Sequence, residues 1–412
     1  MYGGQSWVKN GTENLYQIVN HYLRIADFTQ PLNLSDPTLL TYKDIPTSIT
    51  IFQDGAFWAS QTSNKLYIVG GLVSDEAWIT RQGDFVNVVP SFYKGSSVFS
   101  YDIDADNWSS EQALQSSTSE PTSTPVYIGI TEEQVHGNGN LLTFNETDFR
   151  WSNVTTDNKL TTTGTEGGQF VYLPGTESSS GGIGILIGGM HRDTGRMESL
   201  RKVLIYHSST STWYSQITTS TAPNSSFPSG RWYFCAIATS APDNSSHNLY
   251  IYGGELQTAA TYANADIWIL SIPSFRCIKV DIKSLSSKAM GCTSLAGGRY
   301  LLTYGGVEAG FGKEGDTDNC HMQNYGLRLF DLENLVWTES YEGALQGNMS
   351  RVPKIVHQAI GGNEMGSATA TAPSEGFETP SLATLFQKAD TTGKQNLVPQ
   401  EMYAGQTSCG RK

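Results

Sequence analysis

Residues 301–306, LLTYGG, and residues 327–337, LRLFDLENLVW, decide the fold of this chain. The first is a short aliphatic and aromatic run that ends on a glycine pair. It reads as a strand entering a bend tight enough to require glycine. The second breaks at Asp331 and resumes at a tryptophan, which reads as two strands joined by a turn. Within it, Phe330 stands seven positions before Trp337.

Both signatures recur. LYIVGG ends at Gly71, ILIGG at Gly189 and LYIYGG at Gly254, with outlying copies in MYGG at the start and QAIGG ending at Gly362. The seven-residue spacing recurs as Tyr101 and Trp108, Phe144 and Trp151, and Tyr206 and Trp213; Leu270 and Cys277 form a further copy in which a smaller apolar residue replaces Trp. HYLRIADF adds another copy without the Trp, with Asp27 matching Asp102 and Asp331. Successive Trp positions, counting Cys277 as one, lie 43, 62, 64 and 60 residues apart. A repeat near 60 residues with four short strands reads as a propeller blade, a sheet that cannot bury its faces alone. Within a blade the glycine pair ends strand two, the aromatic segment is strand three and Trp opens strand four. Strand one is the preceding apolar run, as in SITIFQDGAFWAS or RWYFCAIAT.

Composition agrees. Of 412 residues only 16% are charged, while Gly (42), Tyr (20) and Trp (9) are plentiful. This disfavours helix bundles and coiled coils and suits strands joined by glycine-rich turns. The net charge of −13 argues against nucleic acid and anionic membrane surfaces as partners. No run of 18 apolar residues offers a membrane span.

The glycine-pair, aromatic and Trp pattern resembles Kelch repeats, whose propeller also forms the central domain of galactose oxidase. Three stretches resemble fungal cell-surface Kelch proteins more closely: ILSIPSFRCIKV, MGCTSLAGGRYLLTYGG followed by NCHMQNYGLRLFDL, and RVPKIVHQAIGG with APSEGFETPSLATLF. The resemblance covers about residues 1–388 and implies an all-β Kelch-type propeller. It also implies a disulfide between Cys292 and Cys320, a leader peptide and one membrane anchor. The segment MYGGQSWVKN lacks a leader's basic region and apolar core, so the sequence is expected to begin downstream of it.

Six blades are expected, with seven as the alternative. The third repeat is short and degenerate, because TPVYIGI, without a glycine pair, is its only further strand. The first repeat lacks strand one, and VPKIVHQAI is expected to fill that slot, closing the ring with strands from both ends of the chain. The propeller domain is placed at residues 1–362. Residues 363–412 are small and polar and are expected to be largely disordered, apart from a short helix near Leu382–Lys388.

Function is expected on the long loops joining strands two and three, near residues 5–20, 72–95, 190–201, 255–265 and 307–325. These emerge on the same face as the segments linking consecutive blades. Trp7, Trp78, Phe85, Tyr262 and Phe311 are candidate anchors, with Arg81, His191 and Arg192 among them. Aromatics and arginine bury much area at little entropic cost. Each could instead pack its loop onto a blade. Trp78 and Phe311 are expected at solvent-accessible loop tips.

Chemistry-bearing motifs are missing. There is no Gly-x-Ser-x-Gly, P-loop, dinucleotide fingerprint, His-Glu-x-x-His or zinc spacing. Asp102, Asp104 and Asp106 lack the glycine and glutamate of a calcium loop and read as turn residues. No cofactor or metal is expected. The reading is a non-catalytic binding or adhesion module taking a protein or glycan ligand. The alternatives are a galactose-oxidase-like copper-radical oxidase and an intracellular Kelch scaffold. The first needs a Tyr–Cys cross-link, for which Cys235 is the one tempting cysteine, although a buried thiol in an inner strand explains it as well.

Eight Asn-x-Ser/Thr sites, at Asn10, Asn33, Asn107, Asn145, Asn153, Asn224, Asn244 and Asn348, are about twice the roughly four that chance supplies. Glycosylation and an extracellular or cell-surface location are the expectation.

Overall fold

The computed structural model describes Met1 and residues 5–10, 14–49, 56–60, 63–69, 77–81, 84–88, 97–112, 114–115, 126–128, 141–145, 149–154, 165–173, 182–191, 194–222, 224, 226–256, 264–307, 323–343, 350–386 and 402–403. The chain opens on a hairpin of β1 (Gln5–Asn10) and β2 (Asn14–Val19), followed by a two-stranded sheet of β3 (Tyr22–Ala26) and β4 (Leu40–Asp44). Blade 1 consists of β5 (Ala56–Ala59) and β6 (Lys65–Val69), and, beyond the hairpin β7 (Ala77–Arg81) and β8 (Asp84–Val88), β9 (Ser97–Asp102) and β10 (Asn107–Gln112). Three antiparallel strands follow: β11 (Val126–Ile128), β12 (Leu141–Asn145) and β13 (Arg150–Val154). Blade 2 is β14 (Gln169–Tyr172), β15 (Ile183–Ile187), β16 (Lys202–His207) and β17 (Thr212–Ile217). Blade 3 is β18 (Cys235–Ser240), β19 (His247–Tyr252), β20 (Ile267–Ile272) and β21 (Arg276–Val280). Blade 4 is β22 (Lys288–Leu295), β23 (Tyr300–Val307), β24 (Leu327–Asp331) and β25 (Val336–Thr338).

The described residues thus form four complete antiparallel blades in an all-β propeller arrangement, with two partial sheets. The seven-residue spacing has a simple cause. It places its two residues directly opposite each other on strands three and four: Tyr101 faces Trp108, Phe144 faces Trp151, Tyr206 faces Trp213, Leu270 faces Cys277 and Phe330 faces Trp337. The connecting turn ends each time in a left-handed residue two positions before the Trp site: Asp106, Phe149, Ser211, Phe275 and Leu335, at φ of 48–56°. Asp102 and Asp331 accept backbone N–H bonds within their turns, as expected of turn residues.

Blades stack through both faces. In blade 3, Ala236, Leu249, Ile251, Trp268 and Leu270 join blade 2 in one apolar core, while Ile237, Tyr250, Tyr252, Ile267 and Ile269 join blade 4 in another. Alternate residues therefore serve opposite neighbours. This is why IWILSI is buried at every position instead of alternating with polar residues. The β3–β4 sheet is wedged between the ends of the series. Leu23 packs with Phe57, Ile68 and Tyr101 of blade 1, and Leu40 packs with Tyr300, Leu302 and Leu329 of blade 4.

VPKIVHQAI is not a strand. Residues Lys354–Ile360 form helix α1, and Val352, Val356 and Ile360, spaced by four, bury one stripe against blades 3 and 4. The expected helix near Leu382 exists as α2 (Pro380–Leu385), N-capped by Thr379. Residues 363–386 are not a loose tail. Phe377 and Phe386 pack on Phe275, the Ser367 N–H donates to Asp243 at 2.6 Å, and the Glu378 N–H donates to Gln216 at 3.0 Å. Enough aromatic surface is buried to fix a segment otherwise made of small polar residues. Residues 350–386 form a strap over the turns that join strands one to two and three to four. Among the described residues no helix is long and apolar enough to cross a membrane.

Candidate functional site

The strap occupies one end of the blade stack. The other end carries the loops after the glycine pairs and the segments that enter each new blade, and these are built into one another. In blade 2, Met190–His191 pairs with Arg196–Met197 of the same loop and with Thr165–Glu166 of the entering segment. In blade 3, Glu255–Leu256 pairs with Arg231–Trp232.

The glycine pairs do more than turn the chain. Gly188 and Gly189 have φ of 62° and 95°, and Gly253 and Gly254 have 73° and 92°. This lets the second glycine's N–H reach the next blade: Gly189 donates to the Arg231 carbonyl and Gly254 to the Ser287 carbonyl, each at 2.8 Å. A Cβ on Gly254 would meet the Phe234 Cβ at 2.6 Å and the Trp232 carbonyl at 2.9 Å. Strand one of blades 2, 3 and 4 is entered through a matching left-handed residue, Gly167, Tyr233 or Ala289. The Tyr233 N–H donates to the Gly167 carbonyl and the Ala289 N–H to the Tyr233 carbonyl, each at 2.8 Å. A backbone belt thereby runs across blades 2, 3 and 4 beneath the rim.

Arg231 anchors the rim. Its side chain is fully buried and forks onto Asp266 at 2.7 and 3.3 Å, while also donating to the Gly253 and Ser229 carbonyls at 3.0 Å. Asp266 also accepts the Trp268 indole N–H at 2.7 Å. The loop of blade 3 is therefore clamped at both ends. Above the clamp, the Trp232 and Tyr233 rings lie 4.3 Å apart, both half-buried. Trp232 Nε1 is shielded from water and has no hydrogen-bond partner among the described residues. Beside them, Lys288 of blade 4 bonds Glu255 of blade 3 at 2.6 Å. The result is an aromatic pair and a bridging ion pair on one rim. Such a group can bind by stacking and hydrogen bonding. Among the described residues no His, Cys, Asp and Glu group is arranged to hold a metal.

The residues read from sequence fare unevenly. His191 is buried and pairs with Glu198 across its own loop, so it braces that loop instead of facing a ligand. Trp7 lies on β1, Trp78 and Arg81 on β7 and Phe85 on β8. Ile18 on β2 is in parallel register with Trp78, so the first two long loops join into one four-stranded sheet outside the blades. By register Trp78 and Phe85 share one face of that sheet, while Trp7 and Arg81 fall on the other. Their side chains, and residues Arg192, Tyr262 and Phe311 entirely, lie outside the described residues, so the expected exposure of Trp78 and Phe311 does too. Arg231, Trp232, Tyr233, Asp266 and Lys288 were not singled out in the sequence. RWYF at 231–234 carried a signal, an arginine and two aromatics immediately before a strand one, but it read only as strand.

Cys292 does form a disulfide, with Cys235 and not with Cys320. Both lie on first strands, β18 and β22, which run side by side and bring the two Cα atoms to 6.0 Å. Cys320 is outside the described residues. Cys235, the candidate for a Tyr cross-link, is thus already bonded. Cys277 is buried and free, and burial pushes its thiol up to about 11. Of the sequons, Asn33, Asn107 and Asn224 are exposed, and Asn244 sits half-buried in the turn under the strap. Asn10, Asn145 and Asn153 lie on β1, β12 and β13 with side chains outside the described residues, as is Asn348 altogether.

An all-β stack with glycine-pair, aromatic and Trp positions at these registers is a propeller arrangement. The chain has a fungal homologue, a Kelch repeat-containing protein of Arthroderma benhamiae, 30% identical over 231 residues that cover 50% of this chain and 32% of the relative. The chain therefore matches about a third of that relative's length. No protein-family model matches the chain.

Proposed function

We propose that this chain is a non-catalytic binding module of a secreted or cell-surface fungal-type protein. Its ring counts six blades, the four complete ones plus the β3–β4 and β11–β13 sheets, and it takes a protein or glycan ligand on the rim of strand-two-to-three loops. The observation that carries this reading is the asymmetry of the two ends. The strap covers the turns at one end, while the other presents Trp232, Tyr233, Glu255 and Lys288 on a clamped scaffold. Function on loops above a rigid frame is the general expectation for such a scaffold. A disulfide and three exposed sequons support an oxidising, glycosylating compartment. Probing glycan and protein arrays with the full chain tests the reading: saturable binding to one ligand class is expected, and a chain that retains nothing on either array contradicts it. Mass spectrometry of the native protein tests the compartment. Glycans on Asn33, Asn107 and Asn224 are expected, and unmodified sequons with reduced cysteines would point to an intracellular scaffold.

A further inference from the structure

One segment of the rim reverses the charge of the molecule. The chain carries a net charge of −13, yet residues 191–202, HRDTGRMESLRK, hold four cations, Arg192, Arg196, Arg201 and Lys202, against two anions, Asp193 and Glu198. This is the strand-two-to-three loop of blade 2. Arg192 and Asp193 lie outside the described residues, and Glu198 is spent on the buried His191. Arg196, Arg201 and Lys202 are exposed, and none has a carboxylate partner among the described residues. Arg201 is held from its uncharged face: its guanidinium lies 4.5 Å over the Phe227 ring, which itself packs against the core shared by blades 2 and 3. A guanidinium stacked by one face keeps its N–H edges for an incoming carboxylate. The same loop abuts the aromatic pair. The Glu198 N–H donates to the Gly189 carbonyl, and the Gly189 N–H to the Arg231 carbonyl, each at 2.8 Å. A Cβ on Gly230 would meet the Glu198 carbonyl oxygen at 2.6 Å. The second half of the basic loop is thus pressed onto residues 230–231, and Trp232 and Tyr233 follow directly.

We infer that the rim takes an acidic glycan, a carboxylate-bearing sugar whose ring lies on the Trp232–Tyr233 pair and whose carboxylates meet Arg196 and Arg201. The inference rests on the reading of the rim as the ligand-binding end, and it narrows the ligand to a chemical class. Such a sugar uses both halves of the arrangement. A pyranose ring presents an apolar C–H face, which an aromatic side chain covers, and carries its polar groups around the ring edge. A uronic or sialic acid adds a carboxylate at that edge, and the forked N–H donors of arginine match its plane. An acidic peptide carries its carboxylates on flexible stems and needs no aromatic platform. The sign of the remaining surface adds specificity. An anionic glycan is repelled by most of a chain of net charge −13 and is steered to the loop where the charge reverses.

The test probes the full chain on an array of uronate- and sialate-bearing oligosaccharides, each printed beside its methyl ester and a neutral counterpart. Poly-L-glutamate serves as the acidic peptide, and a protein array is run in parallel. The chain should retain carboxylate sugars and bind their methyl esters and poly-L-glutamate at least tenfold more weakly. Raising NaCl from about 0.05 to about 0.5 M should weaken that binding at least tenfold, because exposed charges are screened. In Arg196→Gln/Arg201→Gln it should fall about tenfold, the loss expected of two exposed ion pairs. Lys354→Glu makes the same change in net charge on the exposed surface of helix α1 and should leave binding within about twofold of the unsubstituted chain. Equal retention of acids and methyl esters overturns the inference, as does binding that survives the double substitution or falls as far with Lys354→Glu. A chain that binds neutral sugars or proteins but no acidic glycan also overturns it and leaves the rim reading intact. A chain that binds nothing on either array overturns both.

Discussion

Arg231 should be the most costly rim residue to lose. Its guanidinium is fully buried and makes four hydrogen bonds: two to Asp266 and one each to the Gly253 and Ser229 carbonyls. Removing one member of a buried ion pair costs about 3–5 kcal/mol, because the other charge is left unpaired in a poor solvent. Asp266 is 24% exposed and keeps the Trp268 indole bond, so water can compensate part of the loss. Arg231→Met is therefore expected near the lower bound, about 3 kcal/mol. Arg231→Lys should fall between, since an ammonium cannot fork onto a carboxylate. In Arg231→Met/Asp266→Asn no buried charge is stranded, and the double variant should recover at least a third of the loss. Urea unfolding of the unsubstituted chain, Arg231→Met, Asp266→Asn and the double variant, followed by tryptophan fluorescence, gives four free energies and the coupling between the sites. Hydrogen exchange should show the 264–266 and 231–232 amides loosened first. A cost below about 1 kcal/mol for Arg231→Met, or additive single and double variants, would refute the clamp.

Other consequences follow from single residues. Ser211 holds φ of 49° at a half-buried turn position, so Ser211→Gly should stabilise by about 0.5–1 kcal/mol in the same assay. Leu335→Gly, at the equivalent turn position, should not stabilise, because Leu335 also packs into the core between blades 3 and 4. The Cys235–Cys292 bridge closes a loop with a sequence separation of 57 and should contribute about 4 kcal/mol, measured as the difference between oxidised chain and Cys292→Ser. Cys277 has its thiol raised from 9.0 to about 11 by burial, so the folded state resists its ionisation. The stability it contributes is complete below pH 9 and lost as pH rises to about 11; the chain should lose about 3 kcal/mol more than Cys277→Ala across that window. Equal slopes for the two chains would show that the thiol is not shielded.

What the sequence revealed, and what it hid, divides along physical lines. The blade was legible because its signals are local. A turn of fixed length puts Phe330 opposite Trp337, and no other packing is needed to explain the spacing. The glycine pairs were legible as bends, but not as bridges, since the carbonyls of Arg231 and Ser287 that they reach lie in the next blade. The same limit hid the rim. Lys288 and Glu255 are 33 residues apart, and Arg231 and Asp266 are 35 apart, so no window holds both members of either pair. His191 looked like a surface residue because its loop is polar, yet Glu198 seven positions on draws the ring inward. VPKIVHQAI was misread because its apolar composition suits a strand; the spacing of Val352, Val356 and Ile360 was the better guide. The disulfide followed the resemblance to Cys320, whereas the side-by-side course of β18 and β22 decides it for Cys235.

The central claim is that the rim of loops, and not the strapped end, holds the ligand. The most direct measurement probes one glycan and protein array with four forms of the full chain: unsubstituted, Trp232→Ala, Lys288→Glu and, on the exposed surface of the strap, Glu364→Lys. Whichever ligand the unsubstituted chain retains, Trp232→Ala and Lys288→Glu should each weaken its binding at least tenfold, while Glu364→Lys should leave it unchanged. Binding that survives both rim substitutions and is lost with Glu364→Lys would contradict the account.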